Sequence, residues 1–239
     1  MDMWGITHRG VIREQNQDSF AVDRLEDGSI IAVVCDGMGG AKAGNVASAM
    51  AVEYFMDHFM GHKDEINIQE RMQAAAAKAN QDVFREATTK LEFSGMGTTM
   101  VAAVVKAEEA FILNEGDSRA YHINQDGIVQ ITRDHSLVED MVERGELTRE
   151  QARNHPHKNL ITRALGAEPV LLADCFRRTM EPGDYLLLCS DGLSNVVTDQ
   201  EILYEVIHGG EDNACCQRLL DIALHRGAPD NVSVVLISR

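Results

Sequence analysis

The stretch Ile30-Ile31-Ala32-Val33-Val34-Cys35-Asp36-Gly37-Met38-Gly39-Gly40 runs through six apolar residues and then stops on an acid followed by a glycine-rich turn. A strand with one wet face alternates apolar and polar side chains. Unbroken apolarity from Ile30 to Cys35 predicts a strand covered on both faces. Leu186 to Cys189 and Val232 to Ile237 read the same way, and Thr98 to Val105 with Ala110 to Leu113 add a hairpin across the charged turn Lys106-Ala107-Glu108-Glu109.

Helical periodicity fills the gaps. Val46, Met50 and Tyr54 recur every four residues, and Met72, Ala76, Ala79, Val83 and Ala87 form a second stripe, so two consecutive helices precede the hairpin. Thr198 or Asp199 is placed to cap a helix to about Val206, and Asp212 another to about His225. Strands, a helix pair, strands and then helices lack the regular alternation of a doubly wound sheet, which predicts an α+β fold. Segment 136–166 is polar and ends near His155-Pro156-His157; it reads as short surface helices forming a flap.

Composition narrows the function. The 239 residues carry 22 Lys and Arg against 38 Asp and Glu, a formal charge of −16. Phosphate-backbone binding draws on clustered cations, so nucleic acid is not an expected partner. With 44% hydrophobic and 25% charged residues the chain can build a sizeable core. No apolar run is long enough to span a bilayer, so a membrane is excluded too and a cytoplasmic location is expected. Five cysteines, odd in number and without a C-x-x-C pair, read as reduced structural thiols.

The positions of the aspartates carry more chemistry. Asp36 and Asp191 follow apolar strands and each precedes a glycine, Asp117 follows the strand ending near Leu113, Asp230 precedes the last strand, and Asp18 sits in Asn16-Gln17-Asp18-Ser19. Any one Asp-Gly pair is ordinary turn sequence. Their recurrence at the ends of buried strands instead suits an oxygen-ligand site for Mg²⁺ or Mn²⁺, in which cations offset mutual repulsion and two of them activate a shared water. Other chemistries lack their signatures. No cysteine is followed six positions later by arginine, no D-x-D pair exists, Lys42 is followed by Ala43 rather than the Ser or Thr of a P-loop, and His and Cys are not paired at zinc spacing.

Eight motifs then occur in order: Arg13-Glu14-Gln15-Asn16-Gln17-Asp18, Asp36-Gly37-Met38-Gly39-Gly40, Gly97-Thr98-Thr99, Gly116-Asp117-Ser118-Arg119-Ala120-Tyr121, Asp134-His135-Ser136, Ile161-Thr162-Arg163-Ala164-Leu165-Gly166, Ser190-Asp191-Gly192-Leu193 and Asp230-Asn231. Together they resemble the metal-dependent protein phosphatase 2C family in its bacterial single-domain form, from about Gly5 to Val235. The resemblance implies one domain over residues 1–239, with two antiparallel sheets packed face to face between helix pairs and a flap at 136–166. It implies hydrolysis of phosphoserine and phosphothreonine in proteins by a hydroxide bridging two Mn²⁺ or Mg²⁺ ions, with a third ion in bacterial members. Asp36, Asp191 and Asp230 match metal-binding aspartates, and Gly37 a carbonyl ligand. Asp117 with Asp191 matches the third-metal site, Asp18 the carboxylate that orients metal-bound water, and Arg13 the arginine that binds substrate phosphate. Read without the family, Arg13 is a surface cation paired with Glu14 or Asp18.

The partners so implied are phosphorylated proteins, a serine/threonine kinase among them, acted on by a monomer. Met38 departs from the pattern of many eukaryotic relatives, which carry histidine there as a candidate general acid; methionine cannot donate that proton, and His135 reads as structural. The rival function is a catalytically dead module that keeps the fold and binds phosphoproteins. Such a module is expected to have lost metal-binding aspartates, and Asp36, Asp191 and Asp230 are all present.

Overall fold

The computed structural model describes residues 1–39, 43–62 and 67–239, so Gly40 of the second motif and Lys42 lie outside the described residues. In chain order the elements are β1 (Asp2–His8), β2 (Asp18–Arg24), β3 (Ile30–Met38), α1 (Gly44–Gly61), α2 (Ile68–Thr89), β4 (Gly97–Thr98), β5 (Met100–Lys106), β6 (Glu109–Glu115), β7 (Arg119–Asn124) and β8 (Gly127–Gln130). Then come α3 (Leu137–Glu143), α4 (Arg149–Arg153), β9 (Asp174–Thr179), β10 (Tyr185–Cys189), α5 (Asp191–Ser194), α6 (Asp199–His208), α7 (Cys215–His225) and β11 (Val232–Ser238).

Two antiparallel sheets result. One runs β1-β11-β10-β7-β8, the other β2-β3-β5-β6-β9 with β4 paired to the end of β3. The unbroken apolarity of β3 has a direct cause: Ile31, Val33 and Cys35 pack toward α1 and α2, while Ile30, Ala32 and Val34 pack toward the other sheet. Leu186, Leu188, Val235 and Ile237 complete that central core. Behind them Leu187, Cys189, Val232, Val234 and Leu236 join α6 and α7. Three apolar layers between four layers of structure make the α-β-β-α sandwich that the family resemblance implies, and alternate side chains of each inner strand enter different cores.

The fully buried stripe of α1 is Ala47, Ala51, Phe55 and Phe59, and the neighbouring stripe Val46, Met50 and Tyr54 packs partly buried against the same core. Two local expectations are corrected. Asp36 does not follow its strand but lies within it, since β3 runs on to Met38 and pairs there with β4. Asp212 does not cap α7: its carboxylate accepts the Tyr185 hydroxyl at 3.2 Å, and a short 3₁₀ turn, Asp212–Ala214, intervenes. Thr198 does cap α6, its hydroxyl accepting the Glu201 N–H. The flap holds α3 and α4, capped by Ser136 and Thr148. Its far end returns to the site through two hydrogen bonds, Thr98 N–H to Leu165 O at 3.0 Å and Leu165 N–H to Thr98 O at 2.8 Å. All five cysteines are free, and Cys35, Cys189, Cys215 and Cys216 are buried.

Candidate active site

At one edge of the sandwich a cleft of about 560 Å³ is lined by Arg13, Asp36, Gly37, Asp117, Asp191 and Asp230 among others, so residues from five separate stretches of the chain meet there. Asp18 lies just beneath, only 6% exposed. Backbone anchors set each carboxylate. Asp36 is pinned between β2 and β4: its N–H donates to Thr99 Oγ1 at 3.0 Å, and its carbonyl accepts Thr98 Oγ1 and the Thr99 N–H, both at 2.8 Å. Gly37 passes so close to the start of α1 that a Cβ there would lie 2.0 Å from Gly44 O. Only glycine fits at that crossing.

Asp191 opens α5, and Gly192 behind it allows the Asn231 carbonyl to approach within 1.9 Å of where a Cβ would stand. Asn231 is the clamp of the whole edge. Its Oδ1 accepts the Gln17 N–H at 2.8 Å and its Nδ2 donates to Arg9 O at 2.8 Å and Gln15 O at 3.0 Å, which ties the loop bearing Arg13 to the residue beside Asp230. The motif pattern marks Asn231, Thr98, Thr99 and Ser190 without a role; their anchoring function emerges only from the three-dimensional contacts.

Electrostatics sets this edge apart. Burial pushes Asp18 up to about 7, against the hydrogen bonds from Ser190 and Ser233 and with repulsion from Asp191 and Asp230. Burial, followed by repulsion from Asp230, pushes Asp191 up to about 6, while a hydrogen bond with Asp36 opposes the rise. Asp36 and Asp117 are also raised, first by burial and then by their neighbouring aspartates. Arg13 donates from Nη2 to Asp230 Oδ2 at 2.7 Å rather than to Glu14 or Asp18. That bond raises the guanidinium further, and Arg13 remains half exposed at the mouth. His135 is occupied at both ring nitrogens: Nδ1 accepts the Gly116 N–H at 3.0 Å and Nε2 faces Asp174 Oδ2 at 3.1 Å. It is the structural histidine the motif suggests.

The donor set fits divalent cations. Asp18 Oδ1 and Asp191 Oδ1 are buried with no hydrogen-bond partner, which costs free energy unless a positive group meets them. All the candidate donors are hard oxygens, the preference of Mn²⁺ and Mg²⁺ rather than of zinc. Among the described residues the side chains do not close into a preformed shell of three or more ligands.

Comparison with known proteins agrees. Residues 8–214 match the family described as protein phosphatase 2C. The serine/threonine phosphatase stp of Listeria innocua is 37% identical over 240 residues, covering 98% of this chain and 94% of the relative. The solved structure of the serine/threonine phosphatase Stp1 from Staphylococcus aureus superposes with a TM-score of 0.94 at 34% identity, covering 100% of this chain and 94% of that one. The catalytic domain of the phosphatase PstP, solved in complex with two manganese ions, superposes with a TM-score of 0.87 at 31% identity, covering 98% and 96%.

Proposed function

The chain belongs to the protein phosphatase 2C family, and from that premise we propose that it hydrolyses phosphoserine and phosphothreonine in proteins, with Asp36, Gly37, Asp191 and Asp230 holding two Mn²⁺ or Mg²⁺ ions. The observation that carries this reading is the unbalanced carboxylate edge, with two buried oxygens left without a partner beside a cleft that Arg13 overlooks. The chemistry supplied by such cations when bound is activation of a bridging water to hydroxide and neutralisation of phosphoryl charge.

The protein's own groups do the rest. Arg13 is placed to grip two phosphoryl oxygens with its planar fork, which orients phosphorus for in-line attack. Asp18 orients the attacking water and holds its proton. Asp117 and Asp191 together take a third cation. Met38 lines the cleft but has no proton to give, so the leaving alkoxide takes its proton from water or from another group, not from the side chain at that position. The alternative of a catalytically dead phosphoprotein-binding module is disfavoured because Asp36, Asp191 and Asp230 are all in place.

We assign residues 1–239 to one catalytic domain with its flap at 136–166, working as a cytoplasmic monomer that opposes a serine/threonine kinase. Among the described residues no helix is long and apolar enough to cross a membrane. Hydrolysis of p-nitrophenyl phosphate is expected to need added Mn²⁺ or Mg²⁺ and to stop with EDTA; turnover that survives rigorous chelation overturns the cation site. Arg13→Ala is expected to raise KM for a phosphoprotein about tenfold with kcat nearly unchanged. An equal loss in kcat at saturation places Arg13 in the transition state instead.

A further inference from the structure

Behind Asp18, away from the cleft, lies a set of hydroxyls whose proton directions can be worked out. Asp18 Oδ2 is 2.7 Å from both Ser190 Oγ and Ser233 Oγ. Ser233 Oγ is in turn 2.7 Å from Thr7 Oγ1, and Thr7 Oγ1 accepts Asn16 Nδ2 at 2.8 Å. Asn16 Oδ1 accepts the Asp18 N–H at 3.2 Å, which fixes the orientation of that amide, since a backbone N–H can only donate.

Ionised, as Asp18 must be to take the proton of the attacking water, its carboxylate only accepts, so both serines spend their single proton on Oδ2. With the Ser233 proton so committed, the bond between Thr7 and Ser233 must carry the proton of Thr7. The order is therefore Asn16 to Thr7 to Ser233 to Asp18, every donor pointing the same way, and each link polarises the next. A second arm braces the first: the Ser233 N–H donates to Ser190 Oγ at 3.0 Å. Two donors occupy Oδ2, while Oδ1 is buried and without a partner.

We infer that Thr7 and Ser233 are positioning residues for the hydrolysis: through this one-way hydroxyl chain they lock the Asp18 carboxylate so that Oδ1 alone is offered to the reacting water. The inference rests on the phosphatase reading above. Neither residue lines the cleft, so neither touches substrate. Thr7 lies on the edge strand β1 and Ser233 on β11, where they stand directly opposite each other in the ladder. A strand pairing between the two ends of the chain thus sets the rotamer of an active-site acid.

The test uses the full chain with saturating Mn²⁺ and a phosphothreonine peptide. Thr7→Val keeps the shape and removes the hydroxyl, and is expected to lower kcat about fivefold with KM unchanged; Ser233→Ala, which removes a direct donor to the charge, is expected to lower it at least about tenfold. Thr7→Ser restores the hydroxyl and is expected to return kcat to within about twofold of the parent. Mn²⁺ titrated calorimetrically into Thr7→Val should bind with the parent's stoichiometry, because Asp18 orients water rather than anchoring the cations. Parental kcat in Thr7→Val overturns the inference, as does equal slowing in Thr7→Val and Thr7→Ser, which would mean packing, or a change confined to KM. If the buried Ser233→Ala does not fold, the part-buried Thr7 pair decides alone. An active parent with an unaffected Thr7→Val defeats only the positioning role, whereas a parent inactive with Mn²⁺ defeats the phosphatase reading and the positioning role with it.

Discussion

Asp134 and Asp191 both face the groove beside the flap, and both are short carboxylates set deep in the fold, yet their surroundings are opposite. Asp134 is fully engaged. Arg119 grips it with Nε at 2.9 and 3.1 Å and Nη2 at 2.7 Å, and Gln130 adds a bond at 2.9 Å. Asp191 is held by Asn195 Nδ2 at 2.9 Å through Oδ2 and by its contact with Asp36, while Oδ1 has nothing. A charge balanced within the fold serves stability. One left unbalanced, at a cost, is where chemistry is sited.

The sharpest way to break this comparison is to neutralise each acid in turn. Asp191→Asn is expected to lower Mn²⁺-dependent turnover by about a thousandfold or more, with calorimetric Mn²⁺ binding weakened and the circular dichroism spectrum retained. Full turnover in that variant would remove Asp191 from the site. Asp134→Asn should do the reverse. It takes from the buried Arg119 its paired carboxylate and is expected to cost about 3 kcal/mol in urea unfolding while Mn²⁺ binding persists. Parental stability there would show that the pair is not structural.

A smaller effect separates the two sites by pH. Asp18, near 7, and Asp191, near 6, are raised by burial above their unfolded values, so the native state holds more protons than the unfolded chain between about pH 4 and pH 7. Stability from these groups is complete below the unfolded value and is lost as pH rises through the folded one. In EDTA the Tm is therefore expected to fall by several degrees across that window, and Mn²⁺ should abolish the decline. A Tm that climbs with pH in EDTA would contradict the burial of these acids.

Much of the fold could be read from residue order because a strand buried on both faces leaves an unambiguous mark, as Ile30 to Cys35 does. The inward face of α1 could not, since Val46-Met50-Tyr54 and Ala47-Ala51-Phe55 have the same spacing and only the proximity of α2 and β3 selects the smaller set. The candidate site was legible in its acids but not in what holds them. Arg13 finds Asp230 some two hundred residues away, and Thr7, Ser190 and Ser233 are small polar residues whose neighbours in sequence say nothing of Asp18. Local pattern records which residues leave water; it does not record which distant strand arrives beside them.

The pairing of β1 with β11 has a consequence in time. During synthesis β1 has no ladder partner until β11 follows it, with β2 to β10 made in between. Asn231, which ties down the loop bearing Arg13, and Ser233, which faces Thr7, arrive in that same closing segment. The cleft is therefore not assembled until β11 has been made, and a chain truncated before residue 230 leaves β1 without its partner and the loop bearing Arg13 without its tie.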